Sequence, residues 1–363
     1  MRFLRIFLLL TATLFATGCA NLGYYTQAVT GQLDILGRTR SITELLDDSP
    51  VAATRPLSPT VKARLATVLR VRDFATQALA LPDNDSYRVY ADLDRAQVAW
   101  NIVATPEFSL TPKEWCFPVA GCVPYRGYFS RKHAQEFASA LRDDRLDVRV
   151  AGVAAYSTLG WFRDPVFSTQ LRRSDTDIAA LIFHELAHQK LYLPGDASFN
   201  ESFATTVEIE GTRLWLTQGG DKTALDNYLI DKTRQSEFVD LLLKHRARLE
   251  ALFASPLPEE QMRAEKARLY NALRTEYADL RNQWSGYDGY DSWFTQDLNN
   301  AHLASVGLYH TYVPAFQALL ASAHGDLPTF YRLARALSRL PTAERTAQLA
   351  GDDGVQKHKM TTN

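Results

Sequence analysis

Cysteine is scarce, charge is balanced, and long apolar runs are confined to one end of the chain. Only three cysteines occur in 363 residues, at positions 19, 116 and 122. That is too few for a disulfide-dense scaffold or for a cysteine-based zinc cluster. The formal net charge of −1 lacks the basic excess that marks nucleic-acid binding, so no nucleic acid is expected as a partner. No stretch beyond the first twenty residues is apolar and long enough to span a bilayer. Internal repeats and low-complexity linkers are also missing. What is there, 46% hydrophobic and 22% charged residues, suits a chain that buries a core. The length allows one large domain or two lobes sharing a cleft.

The N-terminus reads as a targeting segment over residues 1–18, which leaves 19–363 as the mature chain. Arg2 and Arg5 form a positive start, and Ile6 to Phe15 form an apolar run too short for an ordinary membrane span. Ala16-Thr17-Gly18-Cys19 then resembles a bacterial lipobox, with Ala16 where Leu is usual. The resemblance implies a lipid on Cys19 and attachment to a membrane surface through that anchor. Ala20 after the cysteine implies the periplasmic face of the outer membrane. A plain cleaved signal with an incidental cysteine is the alternative. With Cys19 acylated, Cys116 and Cys122 remain, in a segment rich in proline and glycine. An exported chain meets an oxidising compartment, so they are expected to form a disulfide. A metal role would need more ligands nearby, and His133 is the only candidate.

Periodicity sketches the rest. Val61, Leu65, Val68, Leu69 and Phe74 repeat near 3.6 residues and predict a helix from Leu57 to about Leu81. His133 to Arg142 reads as a helix, and Val98 to Val103 as a strand. Leu146, Val148 and Val150 alternate with polar or small residues, which predicts a half-buried strand running on to Thr158. Beyond Ser174 the pattern is helical to about Leu340, broken near Pro194-Gly195, Gly219-Gly220, Pro256 to Pro258, and Gly286 to Gly289. A mixed, strand-bearing first half packed on a mostly helical second half predicts an α+β fold, with the working cleft where they meet.

The chemistry lies in Ile182-Phe183-His184-Glu185-Leu186-Ala187-His188-Gln189. Ser174 and Asp177 suggest a capped helix start. Four residues apart on that helix, His184 and His188 project from one side, close enough to share a metal ion. Glu185 stands beside them, positioned to polarise a water on the metal. This is the H-E-x-x-H arrangement of zinc metalloproteases. The bland alternative, a buried helix with two hydrogen-bonded histidines, leaves three polar groups on an apolar helix in search of partners. A catalytic zinc needs a third protein ligand. Asn200-Glu201-Ser202-Phe203-Ala204 begins a second helix, and Glu201 there is the first candidate, with Asp196 and Glu208 as alternatives. Glu208 stands two turns beyond Glu201, which suits an outer hydrogen bond to a ligand.

The pair His184-Glu185-x-x-His188 and Asn200-Glu201-x-Phe203-Ala204 resembles the gluzincin metallopeptidases, whose aminopeptidase branch carries a similar Asn-Glu-x-Phe-Ala segment. The gap between the two motifs is shorter here. Phe117 to Phe129, Ala155 to Phe162, and Asn299-Asn300-Ala301 with Tyr309 are similar to a family of bacterial predicted aminopeptidases. That resemblance implies a zinc aminopeptidase of the cell envelope acting on peptides, with zinc on His184, His188 and Glu201, and Glu185 as general base. It also implies an oxyanion donor on a late helix, where Tyr309 is the first choice among His302, His310 and Tyr312. Ala154 to Thr158 is a candidate edge strand for pairing with substrate. Glu208, Asp164 and Asp291 are unranked candidates for gripping a substrate amine. Tyr287, Tyr290, Trp293 and Phe294 read mainly as core, and Lys244, Arg246 and Arg248 as a solvated face. An endopeptidase acting on envelope proteins and a non-catalytic zinc-binding lipoprotein are the rival readings.

Overall fold

The computed structural model describes residues 23–47, 56–117, 121–154 and 158–350, and the backbone alone for 307–310. Among the described residues, the first half carries helices α1 (23–38), α2 (Ile42–Leu46), α3 (Pro59–Gln77) and α4 (Arg131–Asp143) with eight short strands. One sheet joins β1 (Thr39–Ser41), β2 (Val89–Ala91) and β8 (Val166–Phe167), with β2 and β8 parallel. A second, antiparallel sheet sets β3 (Ala99–Pro106) between β6 (Arg126–Tyr128) and β7 (Leu146–Val153). The hairpin of β4 (Trp115–Phe117) and β5 (Gly121–Val123) pairs Cys116 with Cys122, and the two cysteines are joined as a disulfide.

From Asp175 onward the described chain is helical: α5 (Asp175–Lys190), α6 (Ala197–Gly219), α7 (Lys222–Phe253), α8 (Glu259–Gln283), α9 (Asp291–Phe294), α10 (Asn300–His310), α11 (Val313–Ser322), α12 (Leu327–Ser338) and α13 (Thr342–Ala350). The α+β expectation holds, strands in the first half and helices in the second. The strand through Val150 is shorter than its pattern suggests. It ends at Val153, and Thr158 turns inward to donate its N–H to Asp164 at 3.0 Å. Of the expected substrate strand Ala154 to Thr158, residues 155–157 lie outside the described residues. No helix among the described residues is long and apolar enough to cross a membrane.

The main core gathers on α5 and α6. Ile178, Ile182, Phe183, Leu186 and Ala187 from α5 meet Phe199, Phe203, Ala204 and Val207 from α6. Phe203 stacks on Phe330 at 5.6 Å, and both are 0% exposed, which brings α12 onto the same core. Fully burying each such aromatic stabilises the fold by roughly 1.5–3 kcal/mol. Gly211 sets how closely α6 approaches: a Cβ there would stand 2.7 Å from Leu79 Cδ1 and 3.0 Å from Phe183 Cδ2. A second core joins α7 and α8 through Phe238, Leu242, Tyr270, Leu273 and Tyr277. The aromatic run packs there, with Tyr290 stacked on Phe238 and Phe294 on Tyr277, each at 4.1 Å. The basic face of α7 is exposed at Lys244 and Arg248, as its pattern suggests. On that solvated face, Lys244 and Arg248 bond Glu276 of α8 at 2.8 and 2.6 Å.

Asn299 and Asn300 tie the helical half to the antiparallel sheet. Asn299 Nδ2 donates to Val148 O at 3.2 Å, and Asn300 Nδ2 donates to Glu107 O at 2.8 Å. Tyr270 donates its hydroxyl to Asn300 Oδ1 at 2.9 Å, so one buried amide links strand edge, α8 and α10.

Candidate metal centre

α5 starts with a reciprocal cap in which Ser174 Oγ accepts from Asp177 N at 3.0 Å and Asp177 Oδ2 accepts from Ser174 N at 3.3 Å. Satisfying these end groups fixes the register of the helix that carries His184, Glu185 and His188. At its other end, Gln189 receives Asn84 Nδ2 at 2.7 Å and donates to Ser86 Oγ and Asp164 Oδ2, both at 3.2 Å. Arg72, 0% exposed, holds the 82–86 loop from behind by donating to the carbonyls of Pro82, Asn84 and Ser86.

The turn between α5 and α6 is clamped by Asn200. Its Oδ1 accepts from Leu193 N at 2.7 Å and its Nδ2 donates to Leu193 O at 2.8 Å. Asp196 caps α6 by accepting from Phe199 N at 3.0 Å, and Arg345 of α13 holds its other oxygen at 2.8 Å. Asp196 therefore closes a helix end and is not among the converging ligands, which removes that alternative. The short gap still suffices, because the clamped turn brings the next residue, Glu201, back over α5.

Three ligand atoms converge. His184 Nε2 and His188 Nε2 are 3.2 Å apart. Glu201 Oε2 lies 3.3 Å from the first and 3.8 Å from the second. Within this group every ligand atom lies inside 4.8 Å of the others. A tetrahedral ion with bonds of ~2.0–2.1 Å to imidazole and carboxylate sets its ligand atoms about 3.3 Å apart. The three side chains fit a small divalent cation, with one coordination position left for a water or a substrate.

The two imidazoles differ in charge. Burial pushes His188 down to about 4, so near neutral pH its ring is uncharged and carries a free lone pair. Burial also opposes a charge on His184, but hydrogen bonds to Glu201 and Glu208 outweigh it and hold its pKa well above the ordinary value. A cation must displace that proton to bind. Glu208 Oε2 lies 3.1 Å from His184 Nδ1, which fixes the ring with Nε2 turned inward. Glu208 is thus the outer partner of a ligand and not itself a ligand. Lys232 of α7 donates to its other oxygen at 2.7 Å.

Glu185 is half-buried beside the ligands. Burial raises its pKa to about 7; the charge of His184 opposes the rise, and Glu201, Asp164 and Glu208 add to it. A carboxyl poised there can take and return a proton near neutral pH.

Other expected residues are engaged by the protein itself. Asp164 is 1% exposed and bonds Thr158 and Gln189, which removes it as an amine anchor. Asp291 accepts from Tyr277 at 2.6 Å in the second core. His302 caps α10 with Asn299 and bonds Gln296, so it does not serve the centre. Tyr309 and His310 end α10, and their side chains lie outside the described residues. The backbone just beyond them is close to the site, since Tyr312 N donates to Ser202 Oγ at 3.2 Å. Cys19 also lies outside the described residues.

One tyrosine escaped the sequence reading. Tyr125 joins β5 to β6 next to the disulfide hairpin and is half-buried. Burial pushes its hydroxyl up to about 12, and the charges acting on it after that are Glu201, Tyr192 and Glu185. Nothing local in sequence signals this, because sheet and metal helix meet only in the fold.

The family model described as "Putative aminopeptidase" matches residues 23–349, which takes in α5, α6 and every residue of the candidate centre. No curated protein and no solved structure matches the chain.

Proposed function

Because the chain belongs to the aminopeptidase family whose model it matches, we propose that it is a zinc-dependent aminopeptidase that removes N-terminal residues from peptides in the cell envelope. The observation that carries this reading is the convergence of His184 Nε2, His188 Nε2 and Glu201 Oε2 beside the carboxyl of Glu185. Zinc suits two neutral imidazoles and one carboxylate with an open fourth position. When bound, it would supply Lewis-acid polarisation of a water and of a peptide carbonyl.

The chain's own residues do the rest. Glu185 accepts a proton from the attacking water and returns it to the leaving amine nitrogen. A tyrosine hydroxyl, from Tyr125 or from Tyr309, donates a hydrogen bond to the carbonyl oxygen as charge gathers on it. Glu208 keeps the His184 ring aimed. Export and a lipid on Cys19 complete the proposal, supported by the Ala16 to Cys19 pattern, and place the enzyme on the periplasmic face of the outer membrane.

Metal analysis of the purified protein tests the reading. About one zinc per chain is expected, with loss in Glu201→Ala. Equal zinc in both would remove Glu201 as a ligand, and no zinc in either would sink the proposal. An N-terminally blocked peptide then distinguishes the two hydrolase readings: an aminopeptidase leaves it intact and an endopeptidase cuts it.

A further inference from the structure

A relay of polar contacts runs outward from the ligand set through three helices. His184 on α5 bonds Glu208 on α6 at 3.1 Å, and Glu208 bonds Lys232 on α7 at 2.7 Å. All three side chains are largely shielded, at 17%, 17% and 21% exposure. Lys232 is itself held: its Nζ donates to Gln235 Oε1 at 3.1 Å and stands 5.3 Å from the centroid of the Tyr228 ring.

The position matters because the surroundings are acidic. Glu201 and Glu208 flank His184, with carboxylate oxygens 3.3 Å from its Nε2 and 3.1 Å from its Nδ1. Lys232 answers one of these charges with a fixed positive charge. It also divides the work of the Glu208 carboxylate. With Oε1 occupied by the ammonium, Oε2 is left for the Nδ1–H of His184, and the ring keeps its Nε2 lone pair for the cation. Without the lysine, Glu208 would lose the contact that fixes its rotamer and would be free to turn from the ring.

We infer that Lys232 is a positioning residue of the metal centre, acting through Glu208 to aim His184 and so setting the affinity for the cation. This rests on the metal-site reading above. It assigns α7, a helix with no ligand of its own, a direct hold on that site.

The test measures zinc dissociation constants of the purified full chain by competition with a chromophoric chelator. Parent, Lys232→Met and Lys232→Arg are compared, with thermal midpoints of the metal-free proteins measured alongside. Outer partners of zinc ligands commonly contribute 10–100-fold in affinity, so Lys232→Met is expected to weaken zinc by about 10-fold. Lys232→Arg, which keeps a donor and a charge, is expected to restore most of it. An unchanged constant in Lys232→Met overturns the inference. So does a loss that Lys232→Arg fails to restore, since a general packing defect would behave that way. Glu201→Ala, measured in parallel, separates the two ideas. If it keeps parental affinity, the ligand set is wrong whatever Lys232 does; if it alone loses zinc, only the Lys232 inference fails.

Discussion

His245 and His302, at 0% and 3% exposure, are buried more deeply than His188 at 8%, yet neither belongs to a metal centre. The comparison between the α7–α8–α10 lobe and the α5–α6 junction shows what separates a merely buried histidine from a candidate ligand. In the lobe, His302 meets Asn299 and Gln296 through its two ring nitrogens, and His245 finds its partners, Arg248 and Glu276, through Nε2 alone. His245 Nε2 lies 3.2 Å from Glu276, whose carboxylate is already bonded by Lys244 and Arg248. Burial opposes charge on Glu276, but those two cations bring its pKa down to about 2. At the junction the balance is reversed. Two imidazoles and a carboxylate aim lone pairs at one point, and the carboxyl of Glu185 is raised to about 7. Burial is common to both regions. Converging lone pairs and an excess of negative charge occur at one.

Breaking the junction at its base has the largest expected effect. Glu185→Gln keeps the shape and the three ligands but removes the proton acceptor, so kcat/KM toward a peptide should fall by about 10²–10⁴-fold while bound zinc is unchanged. Activity that survives near the parental level would remove Glu185 from the reaction. The pH profile follows from the same group. Glu185 works ionised, and its pKa is raised to about 7, so kcat/KM should rise with pH through an acid limb. A bound cation favours the carboxylate and moves that limb to or below about 7. Acid also releases the metal, because a proton on His184 competes with it. Metal content measured across the profile separates the two causes.

The ease of finding this centre and the difficulty of finding its supports have one cause. His184, Glu185 and His188 lie within one helical turn, so their spacing alone puts them on a shared face. Ser174 and Asp177 are equally local. Asn200 was visible as part of a motif, but its work as a clamp on Leu193 needs the turn itself. Lys232, Tyr125 and Asp164 reach the site across tertiary distances, from α7, from a β connection and from the turn before β8. No periodicity records such contacts. The aromatic run was legible as core because apolar residues have one dominant destination. A carboxylate has several, which is why Asp164, Asp196 and Asp291 all resembled site residues and each proved to secure a turn, a cap or a tyrosine.

The β connection supplies the next effect in size. If Tyr125 donates to the carbonyl oxygen, Tyr125→Phe should lower kcat by about 10²-fold with little change in KM, since the contact strengthens as charge develops. Tyr309→Phe measured beside it divides the role between them. A change confined to KM in Tyr125→Phe would make the residue a contact for bound substrate and leave the donor to α10.

The smallest effect is expected in the lobe, where it sharpens the contrast most directly. Glu276→Gln and Glu208→Gln make the same chemical change beside a buried histidine, carboxylate to amide. At Glu208 the amide disturbs the aim of a ligand, and zinc affinity should weaken by about 10–100-fold. At Glu276 the change releases Lys244 and Arg248 toward solvent, where ion pairs contribute about 0–1 kcal/mol. Its thermal midpoint should therefore move little, and its zinc affinity should match the parent. A drop in zinc affinity from Glu276→Gln would mean that the lobe and the junction are coupled through α7, the helix that carries both Lys232 and Lys244. The separation of the two histidine environments would then be a difference of degree, with charge on one end of α7 felt at the other.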